Sequence, residues 1–102
     1  MNWNLSAATC VLETLYRGGM KTVVSSSGSR NTPLLLGARD IDGMEQEMVL
    51  DERSAAFFAL GIARVTRSPV GLICTSGSAL AHYLPALIEA EATKVPLIVL
   101  SA

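Results

Sequence analysis

Short apolar runs and longer helix-patterned segments take turns along this chain, and that alternation constrains its fold more than any other feature. Pro69 to Cys74 and Pro96 to Ser101 are rich in β-branched and aliphatic residues and read as strands, with shorter ones expected at Lys21 to Ser25 and Glu47 to Leu50. Between them, Asn31 to Ala38 with Pro33 in its first turn, Asp51 to about Thr66, and Ser78 to Ala92 are expected to be helical. A first helix carries Leu5, Ala8, Val11, Leu12 and Leu15 at helical spacing after a candidate Asn4 cap, and Gly18-Gly19 stops it. Nearly continuous apolar strands joined by helical crossovers imply an α/β fold: an open parallel sheet of about four strands with helices on both faces.

At 102 residues, half of them hydrophobic and 17% charged, the chain can bury one core and is too short for two ordinary domains. A net charge of -1, with its charges scattered singly, leaves no footprint for nucleic acid or an anionic membrane, so a small ligand is expected. Cys10 and Cys74 lie far apart in apolar stretches, which suits two buried thiols in a reducing compartment better than a disulfide or a metal site. The N-terminus lacks a basic region, and Glu13 and Arg17 interrupt its apolar stretch, so no signal peptide and a cytoplasmic location are expected. Ser68 to Ile88 is 21 residues without Asp, Glu, Lys or Arg, the length of a membrane span. Thr75, Ser76, Gly77 and Ser78 in its middle, then His82 and Pro85, read instead as a loop between strand and helix. Pro85 should bend or split the helix it falls in. The last strand has no helix after it to cover it, so the chain is expected to be the front of a larger domain.

In an open parallel sheet, ligands bind beyond the carboxyl ends of the strands, near a switch in strand order. Three segments belong there: Ser25 to Pro33 after the first strand, Asp51-Glu52-Arg53 after the second, and Thr75 to Ser78 after the third. Gly28 and Gly77 would let backbone approach a ligand closely, free helix amides and serine hydroxyls offer donors to an anion, and Arg30 can grip a carboxylate with both arms. Ordinary Ser/Gly turns and caps look the same in sequence. Neither a Rossmann fingerprint nor a phosphate-binding P-loop can be written across these loops, so a dinucleotide fold is disfavoured. Asp51 and Glu52 at a helix start commonly do no more than complement the dipole. Glu52 stands out because the helix behind it, Ala55 to Ala63, has no polar side chain on any face. That helix is expected to be buried on most sides, with Glu52 at a dry mouth where a hydrogen bond to a ligand is strong.

Gly28-Ser29-Arg30-Asn31-Thr32-Pro33-Leu34, Leu50-Asp51-Glu52-Arg53-Ser54-Ala55-Ala56-Phe57-Phe58-Ala59-Leu60-Gly61, Cys74-Thr75-Ser76-Gly77-Ser78-Ala79 and Pro85-Ala86-Leu87-Ile88-Glu89-Ala90 occur in this order. Over nearly the whole chain the pattern resembles the N-terminal pyrimidine-binding domain of the thiamine diphosphate-dependent SEPHCHC synthase family of menaquinone biosynthesis. The resemblance implies a transferase reaction in which 2-oxoglutarate is decarboxylated on the cofactor and the product adds to isochorismate. It implies that Glu52 hydrogen-bonds the aminopyrimidine ring and favours its imino tautomer, that Gly28, Ser76 and Gly77 lie beside the pyrimidine, and that Ser29 and Arg30 engage a substrate carboxylate. His82 falls where the family usually has an asparagine close to isochorismate, and Ser27 replaces a proline before the Gly-Ser-Arg. Diphosphate and Mg2+ belong to a C-terminal domain in that family, so no metal ligand is expected here and the chain alone should be inactive. The complete protein is expected to be a homodimer or homotetramer. Two rival readings stand beside this one: a catalytically silent α/β interaction or ligand-binding module, and the pyrimidine domain of another thiamine diphosphate enzyme such as an acetolactate synthase relative.

Overall fold

The computed structural model describes residues 3–26, 28 and 30–102. In chain order the elements are α1 (Trp3–Arg17), β1 (Thr22–Ser25), α2 (Thr32–Arg39), β2 (Glu45–Met48) and α3 (Glu52–Thr66). Then come β3 (Val70–Cys74), a 3-10 segment (Gly77–Tyr83), α4 (Leu84–Thr93) and β4 (Leu97–Ser101). All strand pairs are parallel and the order is β2-β1-β3-β4, with Val24 level with both Glu47 and Leu72, and Leu72 with Val99.

The two-residue period of the strands sorts their side chains into two cores. Val24, Val70, Leu72 and Cys74 pack on one face with Ala55, Ala56, Ala59 and Ala63 of α3, Tyr83, and Ala86 of α4. Val23 and Ile73 point to the other face, against Leu12 of α1, Met20 and Ala38 of α2. Full burial of Leu72 or Ile73 stabilises by about 1.5–3 kcal/mol each. Four fully buried alanines on one side of α3 bring its backbone down onto the sheet, because no larger side chain holds it off. Strand β1 leads outward to β2, and α3 carries the chain back across β1 to β3. The strand order therefore reverses between β1 and β3, the place where such folds leave a crevice.

Several expectations from sequence are corrected. Asn4 lies inside α1 rather than capping it. Val11 is 45% exposed and Cys10 is exposed, since both fall away from the Ala8-Leu12 stripe that meets the sheet, so only Cys74 is a buried thiol. The second strand is Glu45–Met48, not Glu47 to Leu50. It is an edge strand bonded to β1 alone, so it tolerates Glu45 and Glu47 in solvent, while Leu50 beyond it is 85% exposed. Helix α3 is buried on one side only, with Phe57, Phe58, Gly61 and Val65 forming an outward stripe. Pro85 divides its segment: a 3-10 stretch runs to Tyr83, and α4 starts with Pro85 in its first turn, where a missing amide costs nothing. Ser68 to Ile88 accordingly folds as strand, 3-10 segment and the start of α4. No helix among the described residues is long and apolar enough to cross a membrane.

Candidate functional site

Asp51 and Glu52 are adjacent carboxylates with different surroundings. Asp51 is the N-cap of α3, in extended conformation, and its Oδ2 accepts from both the Ser54 amide and Ser54 Oγ at 2.9 Å. Those two bonds hold its carboxyl below the usual carboxylate range, with smaller help from the charges of His82 and Arg53. Glu52 begins the helix proper, is half-buried, and its side chain makes no hydrogen bond or ion pair among the described residues. The cap is satisfied without it, which leaves its oxygens for something else.

The loop after β1 is tied to its neighbours by Ser26, which is fully buried. Its amide donates to Ile73 O of β3 at 3.1 Å and its Oγ donates to Val49 O at 2.7 Å, three residues before Glu52. Its carbonyl accepts from Asn31 Nδ2 at 2.7 Å. Asn31 sits at the N-cap of α2 without capping it. Its side chain braces the loop instead, and its buried Oδ1 has no partner among the described residues. Gly28 then passes directly over Thr75 of the loop after β3: a Cβ on Gly28 would lie 2.5 Å from Thr75 Cβ. The glycine predicted to admit a ligand is thus first required by contact between the two loops that border the crevice.

On the third loop, Ser76 is exposed and extended, and Gly77 has φ +84° with open space where a Cβ would be, so conformation and not crowding demands glycine. The 3-10 segment that follows packs on α3 and sets exposed His82 within electrostatic reach of Asp51. Tyr83, at its end, is fully buried. Its hydroxyl has no oxygen or nitrogen partner among the described residues, only the Cys74 thiol close by as a weak acceptor; burial first, then that thiol and the Glu52 charge, push its pKa well up.

Glu52, His82 and the Ser76-Gly77 turn therefore share the α3 side of the carboxyl edge, and Gly28 meets that third loop through Thr75. Arg30 is exposed on the other side, lining a cleft of about 590 Å³ with Pro33, Leu34, Ala8 and Val11, and it makes no ion pair with Glu52. Ser29 lies outside the described residues. Tyr83, Ser26 and the bracing role of Asn31 escaped the sequence reading. The available signals were a tyrosine inside a 21-residue uncharged run and a serine pair at the end of an apolar strand. A half-buried carboxylate beside the switch in strand order can accept a hydrogen bond from a ligand's N–H. Among the described residues no group of three or more His, Cys, Asp or Glu side chains gathers as a metal would require.

The chain is 52% identical over 101 residues to the 2-succinyl-5-enolpyruvyl-6-hydroxy-3-cyclohexene-1-carboxylate synthase of Thermosynechococcus vestitus, covering 99% of this chain and 18% of that protein. It is 48% identical over 101 residues to the synthase of the same name from Myxococcus xanthus, covering 99% of this chain and 17% of the relative. The one from Geobacillus thermodenitrificans is 45% identical over 102 residues, covering 100% and 17%. Among solved structures, benzoylformate decarboxylase from Polynucleobacter necessarius superposes with a TM-score of 0.77 over all of this chain and 18% of that one, at 24% identity, a likeness of fold. The chain thus spans less than a fifth of the relatives it matches. Residues 5–102 match the family described as thiamine pyrophosphate enzyme, N-terminal TPP binding domain, and the chain belongs to that family.

Proposed function

We propose that these residues form the pyrimidine-binding part of a SEPHCHC synthase, a thiamine diphosphate-dependent transferase joining the decarboxylated carbon skeleton of 2-oxoglutarate to isochorismate. The observation that carries the reading is Glu52: a half-buried carboxylate, free of its own helix cap, at the mouth of a crossover helix beside the switch in strand order. Relatives at 45–52% identity carry the name of that synthase, which supports the reading.

When bound, the cofactor supplies the nucleophilic carbon and the electron sink for loss of CO2 from a 2-oxo acid. Glu52 accepts a hydrogen bond from the aminopyrimidine ring nitrogen and so holds a proton there, selecting the tautomer whose exocyclic nitrogen acts as a base. Partial burial strengthens that bond over one in water. Gly28 and the Ser76-Gly77 turn border the ring with backbone. Arg30 and Ser29 take a substrate carboxylate, and His82 lies over the Asp51 side of the entrance. Diphosphate and Mg2+ are assigned to the part of a longer protein that this chain does not span, as it covers 17–18% of the relatives it matches. Turnover therefore needs that remainder, in a cytoplasmic homodimer or homotetramer.

The test is a steady-state assay of the complete enzyme with 2-oxoglutarate and isochorismate. Consumption of both, with Arg30→Ala raising KM for a substrate at least about tenfold through loss of a charged bidentate contact, is expected. Preference for pyruvate or benzoylformate as the decarboxylated acid would overturn the assignment in favour of a different thiamine enzyme.

A further inference from the structure

Tyr83 heads the fully buried side chains by size among the described residues, and its hydroxyl has no oxygen or nitrogen partner there. A buried O–H with no partner beyond the weak Cys74 thiol has given up strong bonds to water for little in return, so bulk alone would be better supplied by phenylalanine. The ring packs with Ala55, Ala56 and Ala59 of α3 and with Cys74, against the helix turns that open with Glu52. Glu52 lies one helical turn before Ala55 and Ala56, on the stripe of α3 that shares its buried cluster with Tyr83, so its carboxylate, a strong acceptor, belongs to the same side of the helix, and its charge is felt at the hydroxyl. The Glu52 side chain is without a hydrogen-bond partner among the described residues. A donor with at most a weak thiol partner and a charged acceptor with none among the described residues thus lie along one stripe of α3.

We infer that Tyr83 is a positioning residue for Glu52: when a ligand in the crevice draws the carboxylate inward, the Tyr83 hydroxyl donates to one of its oxygens and leaves the other for the ligand. Such a charge-assisted bond is short and strong in a dry site and fixes the direction in which the second oxygen points. The inference rests on the reading of Glu52 proposed above, and deepens it by adding the group that aims the carboxylate.

The experiment compares Tyr83→Phe with Glu52→Gln in the complete enzyme, by the melting temperature of the cofactor-free protein, the dissociation constant for thiamine diphosphate, and the rate of C2 proton exchange of the bound cofactor. For Tyr83→Phe we expect an equal or higher melting temperature, an unchanged dissociation constant, and exchange slowed about tenfold, the effect of one misplaced hydrogen bond. Unchanged exchange in Tyr83→Phe alongside collapse in Glu52→Gln would overturn the role of Tyr83 alone. Unchanged exchange in Glu52→Gln would overturn the underlying reading and this inference with it. A lower melting temperature in Tyr83→Phe, or failure to accumulate folded protein, would make the hydroxyl a structural group and also refute the inference.

Discussion

At the scale of the residue, the carboxyl edge separates two neighbouring acids by what they bind. Asp51 is engaged by Ser54 through both its amide and its hydroxyl; the Glu52 side chain is not engaged among the described residues. Since the folded-state pKa of Asp51 lies below its ordinary 3.8, its carboxylate contributes stability that is present above that value and is lost as pH falls through the lowered one. Asp51→Ala should therefore lower the protection of the Ser54 amide against hydrogen exchange at neutral pH, and the difference from wild type should vanish in acid below the folded-state pKa. Equal protection in the two proteins at neutral pH would show that the cap is idle. Which of the two acids serves as the cap was not legible in the sequence, because both are acceptors near the start of an apolar helix. The answer depends on φ and ψ at Asp51, which leave its side chain facing back over the first turn.

At the scale of the element, α3 and β3 were legible almost to the residue, because a long stretch without polar side chains behind an acidic start reads as a helix and a short β-branched apolar run reads as a strand. Strand β2 was not. It was expected two residues late, at Glu47 to Leu50, because Glu45 and Gln46 look like a loop, and only the exposure of an edge strand explains them. Pro85 announced a break, yet whether the chain before it would be α-helical or 3-10 depended on how it packs on α3. The meeting of the loops after β1 and β3 was equally hidden, since Gly28 and Thr75 are 47 positions apart in sequence and touch only through the strand order. Gly28→Ala should cost about 1–3 kcal/mol in denaturant unfolding, as overpacking does, and Thr75→Gly in the same chain should restore part of it. Additive losses in the double variant would mean that the two loops do not bear on each other.

At the scale of the whole molecule, two half-cores on opposite faces of one sheet leave the carboxyl edge as the place where three loops meet. The sequence named the three loops and the α/β class, but not the order β2-β1-β3-β4, because parallel strands of similar composition carry no mark of their neighbours. That order makes the difference: it places the reversal between β1 and β3, brings α3 back across β1, and so sets Glu52 beside the crevice. The exposed Arg30 falls on the opposite face from α3, so in the proposed enzyme one side of the edge holds the cofactor ring while the other receives a substrate carboxylate. The central claim concerns the Glu52 carboxylate, and C2 proton exchange of thiamine diphosphate bound to the complete enzyme tests it directly. Glu52→Gln should bind the cofactor nearly as well as wild type while losing at least about a hundredfold in exchange rate, the scale of a lost acid-base contribution. Exchange at the wild-type rate would contradict the account.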